Sequence, residues 1–237
     1  MFLVHLKIAG LAVVQIFILG TIGFSLVRRK IIKDAGLDSI SRMVIEVTLP
    51  VMIFCHLSQD FSFTMYPEWW IYPLISVAVN IAGFLTGLLL LKFISGTEYK
   101  KQFLSLTTFQ NSGYMPLALI AALLTSADAA PVFIYLFLFL MGFNMLMFSA
   151  GVHMLVFHKN RKFELGSLFS PPVIATIFSL LFVFFGLNRI VPGEIMKPLR
   201  MVGDCTLPLA MIVVGGNLAQ IRLGRIDLKS LSLMMAV

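Results

Sequence analysis

Seven apolar runs follow one another along the 237-residue chain, each long enough to form a transmembrane helix. An α-helix needs about 20 apolar residues to cross the hydrocarbon core of a bilayer. With 59% hydrophobic and 12% charged residues, the chain has too little polar surface for a folded domain in water. The sequence therefore predicts an all-α polytopic protein in a lipid bilayer, with spans at residues 6–27, 40–58, 69–94, 103–124, 131–157, 168–187 and 199–219, and the start of an eighth at 228–237.

Basic residues are concentrated in alternate connections between these runs. Fourteen of the 18 Lys and Arg residues lie at 27–42, 92–101, 158–168 and 220–229. Basic loops remain in the cytoplasm, so we expect a protein of the cell (cytoplasmic) membrane with its N-terminus outside. The charges are spread over short clusters rather than one face, which argues against nucleic acid as a partner despite the net charge of +7.

The sequence contains no pattern typical of catalysis or metal binding. Cys55 and Cys205 each lie within an apolar run, and the four histidines have no metal-ligand spacing. An intramembrane enzyme would need a zinc motif, paired catalytic aspartates or a serine activated by a histidine. We therefore expect no enzyme activity, no metal and no cofactor.

An internal repeat links the second and seventh spans. Residues 42–50 (RMVIEVTLP) and 200–208 (RMVGDCTLP) are identical at six of nine positions, at an offset of 158. Five spans separate the two copies, and an odd number means that they enter the membrane from opposite sides. Inverted repeats are typical of secondary transporters. The pattern predicts a first five-helix repeat at 1–158 and an incomplete second repeat at 159–237.

The repeat length also predicts how long the whole protein should be. Two units of 158 residues would need 316 residues, and the counterpart of position 111 would fall at 269. We therefore expect the 237-residue chain to be part of a longer permease and not to transport alone, because half of the site would be missing.

The fourth span contains the sequence QNSGYMP at residues 110–116. Gly and Pro both disfavour a continuous helix, and unwound backbone at membrane depth is tolerated where protein or a wet cavity surrounds it. A break would offer carbonyl groups to a cation and amide groups to an anion. Asn111, Ser112, Gly113 and Pro116 are thus candidate substrate-binding or ion-binding residues, with a simple proline kink as the alternative.

Two carboxylates, Glu46 and Asp204, lie well inside predicted spans. Because burying such a charge costs at least about 2.5 kcal/mol, each needs a cavity or a partner. One interpretation is binding of the coupling ion, H⁺ or Na⁺; the other is a structural ion pair with Arg42 or Arg200, four residues earlier. Each acid is followed four residues later by a proline, Pro50 or Pro208. We expect both prolines to kink or unwind their helices and to form part of the site.

Three segments resemble the auxin efflux carrier family of permeases: LPVMIF at 49–54, QNSGYMPLAL at 110–119 and LPLAMIVVGGNLA at 207–219. The resemblance covers essentially the whole chain. It implies the ten-helix fold of two inverted five-helix repeats that bile acid:sodium symporters also have, in which the fourth and ninth helices are broken and cross. Asn111 and Pro116 would lie at that crossover. Many bacterial members have a second Gly and a later Pro after Asn-x-Gly, which this chain lacks, so its cavity is expected to differ in shape.

The resemblance implies secondary-active transport of small organic anions, such as malonate, malate or auxin-like carboxylates, by alternating access at a site near the midplane. The short connection at 158–168 favours a prokaryotic type. A channel or a non-transporting sensor could use the same broken helix and stays open as the alternative. Whether the protein forms a homodimer is also left open by the sequence.

Overall fold

The structure of the protein is a computed structural model that describes residues 2–94, 97–124, 126–151 and 168–221. Within these ranges the regular structure is helical, without β-strands. The α-helices are α1 (Phe2–Arg28), α2 (Asp34–Met43), α3 (Leu49–Asp60), α4 (Ile71–Leu90), α5 (Thr97–Thr108), α6 (Tyr114–Leu123), α7 (Ser126–Leu146), α8 (Pro171–Phe184), α9 (Gly193–Asp204) and α10 (Thr206–Gln220).

Each predicted span coincides with helix in the structure. The stretches long and apolar enough to cross a membrane are Asp34–Asp60, Ile71–Phe93, Asp128–Ser149 and Gly193–Gln220. Shorter apolar helices are Val13–Arg28, Tyr114–Leu123 and Pro171–Phe184. The all-α polytopic class is thereby confirmed. The end of the fifth predicted span, the start of the eighth and the predicted boundary between repeats at 158/159 lie outside the described residues.

Two helices begin six residues before the predicted start of their spans. α2 begins at Asp34 rather than at residue 40, and α9 begins at Gly193 rather than at residue 199. The first turns of both helices are amphipathic, with charged side chains such as Asp38 and Lys197 among the apolar ones. A search for continuous apolar runs misses turns of this kind, because their apolar residues recur only every three or four positions.

Helix α7 lies at the centre of the described bundle. Its residues Ile134, Phe137 and Leu138 are fully buried, and they belong to a cluster with side chains from α3, α6 and α8. Helix α4 also packs against α7, and α1 packs along α10. Polar loops therefore remain at the two ends of the bundle, while the apolar helices share its middle.

Glycines allow several of these helices to approach closely. A Cβ atom at Gly215 of α10 would meet the backbone carbonyl of Gly20 in α1, and one at Gly23 would meet the backbone of Ile212. Small residues at helix interfaces are a general means of packing in membranes, where burial of apolar surface adds little between helices. The α1–α10 contact is thus a backbone-to-backbone interface.

This interface predicts a difference between two glycine substitutions. Gly215→Ala should lower the free energy of unfolding by about 1–3 kcal/mol, because its methyl group must displace backbone. Gly20→Ala is the matched control on the facing helix, since a Cβ there meets open space. Thermal unfolding of the two variants in the same detergent measures the difference. Equal midpoints would contradict the close contact.

Candidate functional site

The fourth span is broken at residues 109–113, between α5 and α6. The last helical bond of the first half joins the Phe109 amide to the Ser105 carbonyl at 2.8 Å. The amide of Ser112 donates to the carbonyl of Gln110 at 2.7 Å, which forms a tight turn. The first helical bond of the second half of the span joins the Leu117 amide to the Gly113 carbonyl at 3.0 Å. The span is therefore two short helices rather than one kinked helix.

Pro116 and Gly113 contribute to the break in different ways. Pro116 is the third residue of α6, in the first turn, where a backbone amide has no partner within its helix. Its ring therefore stabilises a helix start and excludes a continuing helix from α5. Gly113 has φ −101° and ψ −80°, a backbone that does not require glycine, and a Cβ there would lie an ordinary 3.8 Å from Leu140.

Both ends of the break are anchored by packing. The ring of Phe109 contacts Phe143 and lies over Gly151, where a Cβ atom would come within 2.9 Å of it. On the other side, Leu117 and Ala118 are buried. Asn111 is exposed between these anchors, and Ser112 is half-buried. The break thus presents an amide and a hydroxyl side chain from a backbone that is held on both sides.

Pro50 coincides with a distortion of the second span. Residues Val44–Thr48 form a π-helical turn, in which the Leu49 amide donates to the carbonyl of Val44, five residues earlier. Pro50 has no amide hydrogen for the carbonyl of Glu46, four residues before it, and its ring would clash with that carbonyl in a regular helix. The wider turn relieves this clash, and π turns of this kind are frequent at functional sites in proteins.

Pro208 coincides with an interruption of the seventh span. α9 and α10 are separated at Cys205, whose amide donates to the carbonyl of Val202 at 3.2 Å, three residues earlier. The carbonyl that Pro208 leaves without a donor is that of Asp204, again four residues before the proline. The two copies of the repeat therefore unwind at the same position, one as a widened turn and the other as a tightened one.

The two acids are not held in the ion pairs that the sequence allowed. Glu46 and Asp204 are both exposed, and within the described residues neither lies at ion-pair distance from a basic group. The guanidinium group of Arg200 donates instead to the side-chain oxygen of Gln59 at 3.0 Å. The structural ion-pair interpretation is thus wrong for this structure, because the arginine reaches across to α3 rather than along its own helix.

The distorted turns of the second and seventh spans lie where these helices cross. At one end, Gly203 approaches Met52 so closely that a Cβ atom would lie 2.9 Å from its Cα. At the other end, Val44 shares a buried cluster with Ala210 and Met211. The helices are therefore antiparallel here. Midway between these contacts lie two repeat-related threonines, Thr48 and Thr206.

The fourth span reaches this crossing, whereas Glu46 lies in a groove away from the break. Ala118 belongs to the same buried cluster as Val44, and Tyr114, the first residue after the break, packs against it. Glu46 and Pro50 instead line an apolar groove of about 510 Å³ between α3 and α8. Glu46 and Pro50 are each two residues from Thr48, and residues two apart on a helix point to roughly opposite sides. The structure therefore places Glu46 and Pro50 away from the face of the crossing.

Thr48 and Thr206 are buried but have no hydrogen-bond partner for their hydroxyl groups in the described part of the chain. They are 3% and 0% exposed. Other buried hydroxyls here donate to the carbonyl four residues earlier, as Thr176 does to Pro172 at 2.9 Å. For Thr48 and Thr206 that carbonyl bonds a shifted amide, of Leu49 and of Cys205 respectively, and the threonine hydroxyl does not bond it. Sequence reasoning did not single out these threonines, although both lie in the repeated Thr-Leu-Pro.

A buried hydroxyl without a partner costs about 1–3 kcal/mol, so its removal should stabilise the protein. Thr48→Val and Thr206→Val are expected to raise the thermal midpoint in detergent, separately and together. Thr176→Val is the control, because it removes a hydroxyl that has a partner, and it should leave the midpoint unchanged or lower it. A lower midpoint for Thr206→Val would mean that its hydroxyl is satisfied by water or an ion.

Hydrogen bonds at the two ends of the bundle agree with spans that alternate in direction across the membrane. Gln220 donates to Asp34 at 3.0 Å, and both lie at the end of the bundle where the sequence predicts the cytoplasm. Asn188 donates to the carbonyl of Ser58 at 3.2 Å at the opposite end.

Comparison with known proteins agrees with this architecture. No curated protein and no solved structure matches the chain significantly. The family described as "membrane transport protein" does match, over residues 9–164 and 153–229, and therefore over most of the chain. Together with the broken fourth span and the apolar helices, this match identifies the chain as a membrane transport protein of the auxin efflux carrier family.

Proposed function

We propose that the protein is a secondary carrier that binds small organic anions at the break of its fourth span and moves them by alternating access. The observation that carries the proposal is the interruption of this span at residues 109–113, in a chain that belongs to a membrane transport family. Broken helices at membrane depth are where secondary transporters commonly bind their substrates.

The two halves of the broken span have different neighbours. α5 packs mainly against α4, whereas α6 packs against α1, α7 and α10. A relative movement of these two groups would change the surroundings of Asn111 without requiring the halves to bend. This arrangement suits a carrier, in which a site must open to one side of the membrane and then to the other.

The polarity of the break favours an anionic ligand. The first-turn amides of α6, at Tyr114 and Met115, lie at the positive end of a helix. The side chain of Asn111 adds an amide donor, and Ser112 adds a hydroxyl. A carboxylate accepts hydrogen bonds from all of these groups. Small organic anions such as malonate or an auxin-like acid therefore fit the break better than cationic substrates do.

The packing also supports an inverted repeat. A shift of 158 residues maps α1 onto the region of α8 and α3 onto α10. The contact of α1 with α10 then corresponds to that of α8 with α3, and the structure contains both. Likewise, the contact of Met52 with Gly203 corresponds to one of Ala210 with residue 45, and Ala210 shares its cluster with the adjacent Val44.

Counterflow into proteoliposomes tests the proposal with the full gene product. Vesicles loaded with unlabelled malonate should transiently accumulate external labelled malonate above its equilibrium level, because a carrier exchanges substrate across the membrane. A channel would only equilibrate the label, without saturation, and a sensor would not move it. Repeating the uptake with a Na⁺ gradient or a pH gradient alone identifies the coupling ion.

The proposed topology predicts the outcome of cysteine labelling in intact cells. Cys205 is exposed and should first be replaced by serine, whereas Cys55 is buried. In that background, Arg29→Cys should not react with an impermeant external thiol reagent, because the basic first loop is cytoplasmic. Glu68→Cys, in an outer loop, is the matched control and should react. The reverse pattern would invert the assigned orientation.

A further inference from the structure

A small cavity lies at the end of the bundle opposite the Gln220–Asp34 contact. It is formed where α3 ends, where α8 leads into its following loop, and where α9 begins. Its volume is about 270 Å³, and its lining is half polar and half apolar. It does not touch α5 or α6, so it is separate from the break of the fourth span.

The polar half of the cavity contains a buried hydroxyl group without a partner. Ser58 is 3% exposed, and its Oγ makes no hydrogen bond within the described residues. The carbonyl of the same residue accepts a hydrogen bond from Asn188 Nδ2 at 3.2 Å. Asn188 thus fixes the end of α3, while the hydrogen-bonding capacity of the Ser58 hydroxyl, in a residue that lines the cavity, is unused.

The neighbouring Gln59 is oriented by a charged side chain. Its Oε1 accepts a hydrogen bond from Arg200 Nη1 at 3.0 Å, which leaves the NH₂ group of Gln59 as its free donor. Gly193 lines the cavity as the first residue of α9, after Pro192, which provides no side-chain cap. The backbone amide at this helix start is a third donor on the same cavity.

The surrounding charge favours an anion. Residues 188–200 contain three basic residues and one acid: Arg189, Lys197, Arg200 and Glu194. Asp60, the acid beside Gln59, is already bonded to His56, with Oδ2 and Nδ1 3.2 Å apart. A carboxylate in the cavity would therefore meet hydrogen-bond donors in a locally positive environment, as charge-assisted hydrogen bonds require.

The other half of the cavity is apolar. Phe182, Val191 and Met196 form this wall. A doubly charged dicarboxylate would place its second charge against these side chains, at a desolvation cost. We propose that the cavity is a second binding site of the protein, which takes a small monocarboxylate with an apolar body from the outer side. This site goes beyond the proposed transport site, and its occupancy does not depend on transport.

Equilibrium dialysis of the purified full gene product with labelled phenylacetate tests the site. Ser58→Ala and Gln59→Ala should each weaken binding about tenfold, because a hydrogen bond to a charged group is lost. Arg200→Gln should weaken it as well, since it releases Gln59. Ser170→Ala is the matched control, because it removes another buried hydroxyl without a partner that does not line the cavity.

Further measurements separate this site from the break. Asn111→Ala should leave unchanged the component of phenylacetate binding that Ser58→Ala weakens, and malonate should compete for this component at least tenfold more weakly than unlabelled phenylacetate. In the Cys205→Ser background, phenylacetate should protect the thiol of Gly193→Cys from an impermeant thiol reagent. Absence of binding, loss of binding with Asn111→Ala alone, or equal competition by malonate would each overturn the proposal. Loss of counterflow in the same preparation would contradict the proposed transport function and would leave this second site unaffected.

Discussion

Asn111→Ala is expected to reduce the uptake of organic anions by the full gene product about 10- to 100-fold. Asn111 is exposed in the break, between halves of the span that are anchored by Phe109 on one side and by Leu117 on the other. A hydrogen bond to a charged ligand contributes about 1.5–3 kcal/mol, and each 1.4 kcal/mol corresponds to a tenfold change in affinity. Initial rates of malonate uptake over a range of concentrations measure the loss.

The matched control for this prediction is Gln110→Ala. Gln110 is the adjacent residue, is also exposed and also carries an amide, but its backbone carbonyl closes the turn with Ser112. Its side chain should therefore be dispensable. Gly113→Ala is a second control, because a methyl group there makes only an ordinary contact with Leu140. Equal losses for Asn111→Ala and Gln110→Ala, at equal yields of folded protein, would remove the assignment of the site.

The position of the break could be predicted because its causes are local. Gly113 and Pro116 sit within a few residues of each other in an apolar run, and the structure interrupts the helix at 109–113. Gly113 lies in the break with a negative φ of −101°, so its backbone does not use the left-handed region that favours glycine. The sequence did not indicate that Phe109 anchors the first half, because the ring fits over Gly151, more than 40 residues away.

Long-range contacts explain what the sequence did not predict. The outer cavity joins Ser58 to Asn188, which are 130 residues apart, and no periodic pattern connects them. The pairing of Arg200 with Gln59 likewise required the crossing of two helices, whereas sequence spacing suggested Asp204 as its partner. Amphipathic helix starts, as at Asp34, were missed because their charges interrupt the apolar run.

For Thr48 and Thr206, too, the sequence predicts one part of what the structure shows and not the other. The repeated Thr-Leu-Pro was visible in the sequence, and both prolines do coincide with distorted turns. Beside Thr48 and Thr206, the amide that bonds the carbonyl four residues earlier is a shifted one, that of Leu49 in one helix and that of Cys205 in the other. That choice follows from the way each helix relieves its proline, as a π turn or as a tightened one, and no residue type specifies it.

Replacement of Pro50 and Pro208 is expected to raise the stability of the protein and to lower its rate of transport. Pro50→Ala combined with Pro208→Ala restores two amide donors, for the carbonyls of Glu46 and Asp204, and allows both distorted turns to become regular helix. Both prolines lie inside longer helical stretches, Asp34–Asp60 and Gly193–Gln220. Proline in the interior of a helix costs about 3 kcal/mol, so the double variant should unfold at a higher temperature. The distorted turns lie where the second and seventh spans cross, and regular helices there should hinder the relative movement of the repeats. Uptake should therefore fall at least about tenfold, or about 1.4 kcal/mol in the barrier.

Pro131→Ala separates this effect from the general consequences of removing a proline. Pro131 also lies inside a helix, α7, but outside the repeated segment. This variant should also tend to stabilise the protein, yet it should transport at the normal rate. Measuring thermal midpoints and initial uptake rates for all variants in one lipid mixture gives both quantities. If the double variant is more stable and transports normally, the distorted turns are not the hinges of the carrier, and the movement must be sought at the break around Asn111 alone.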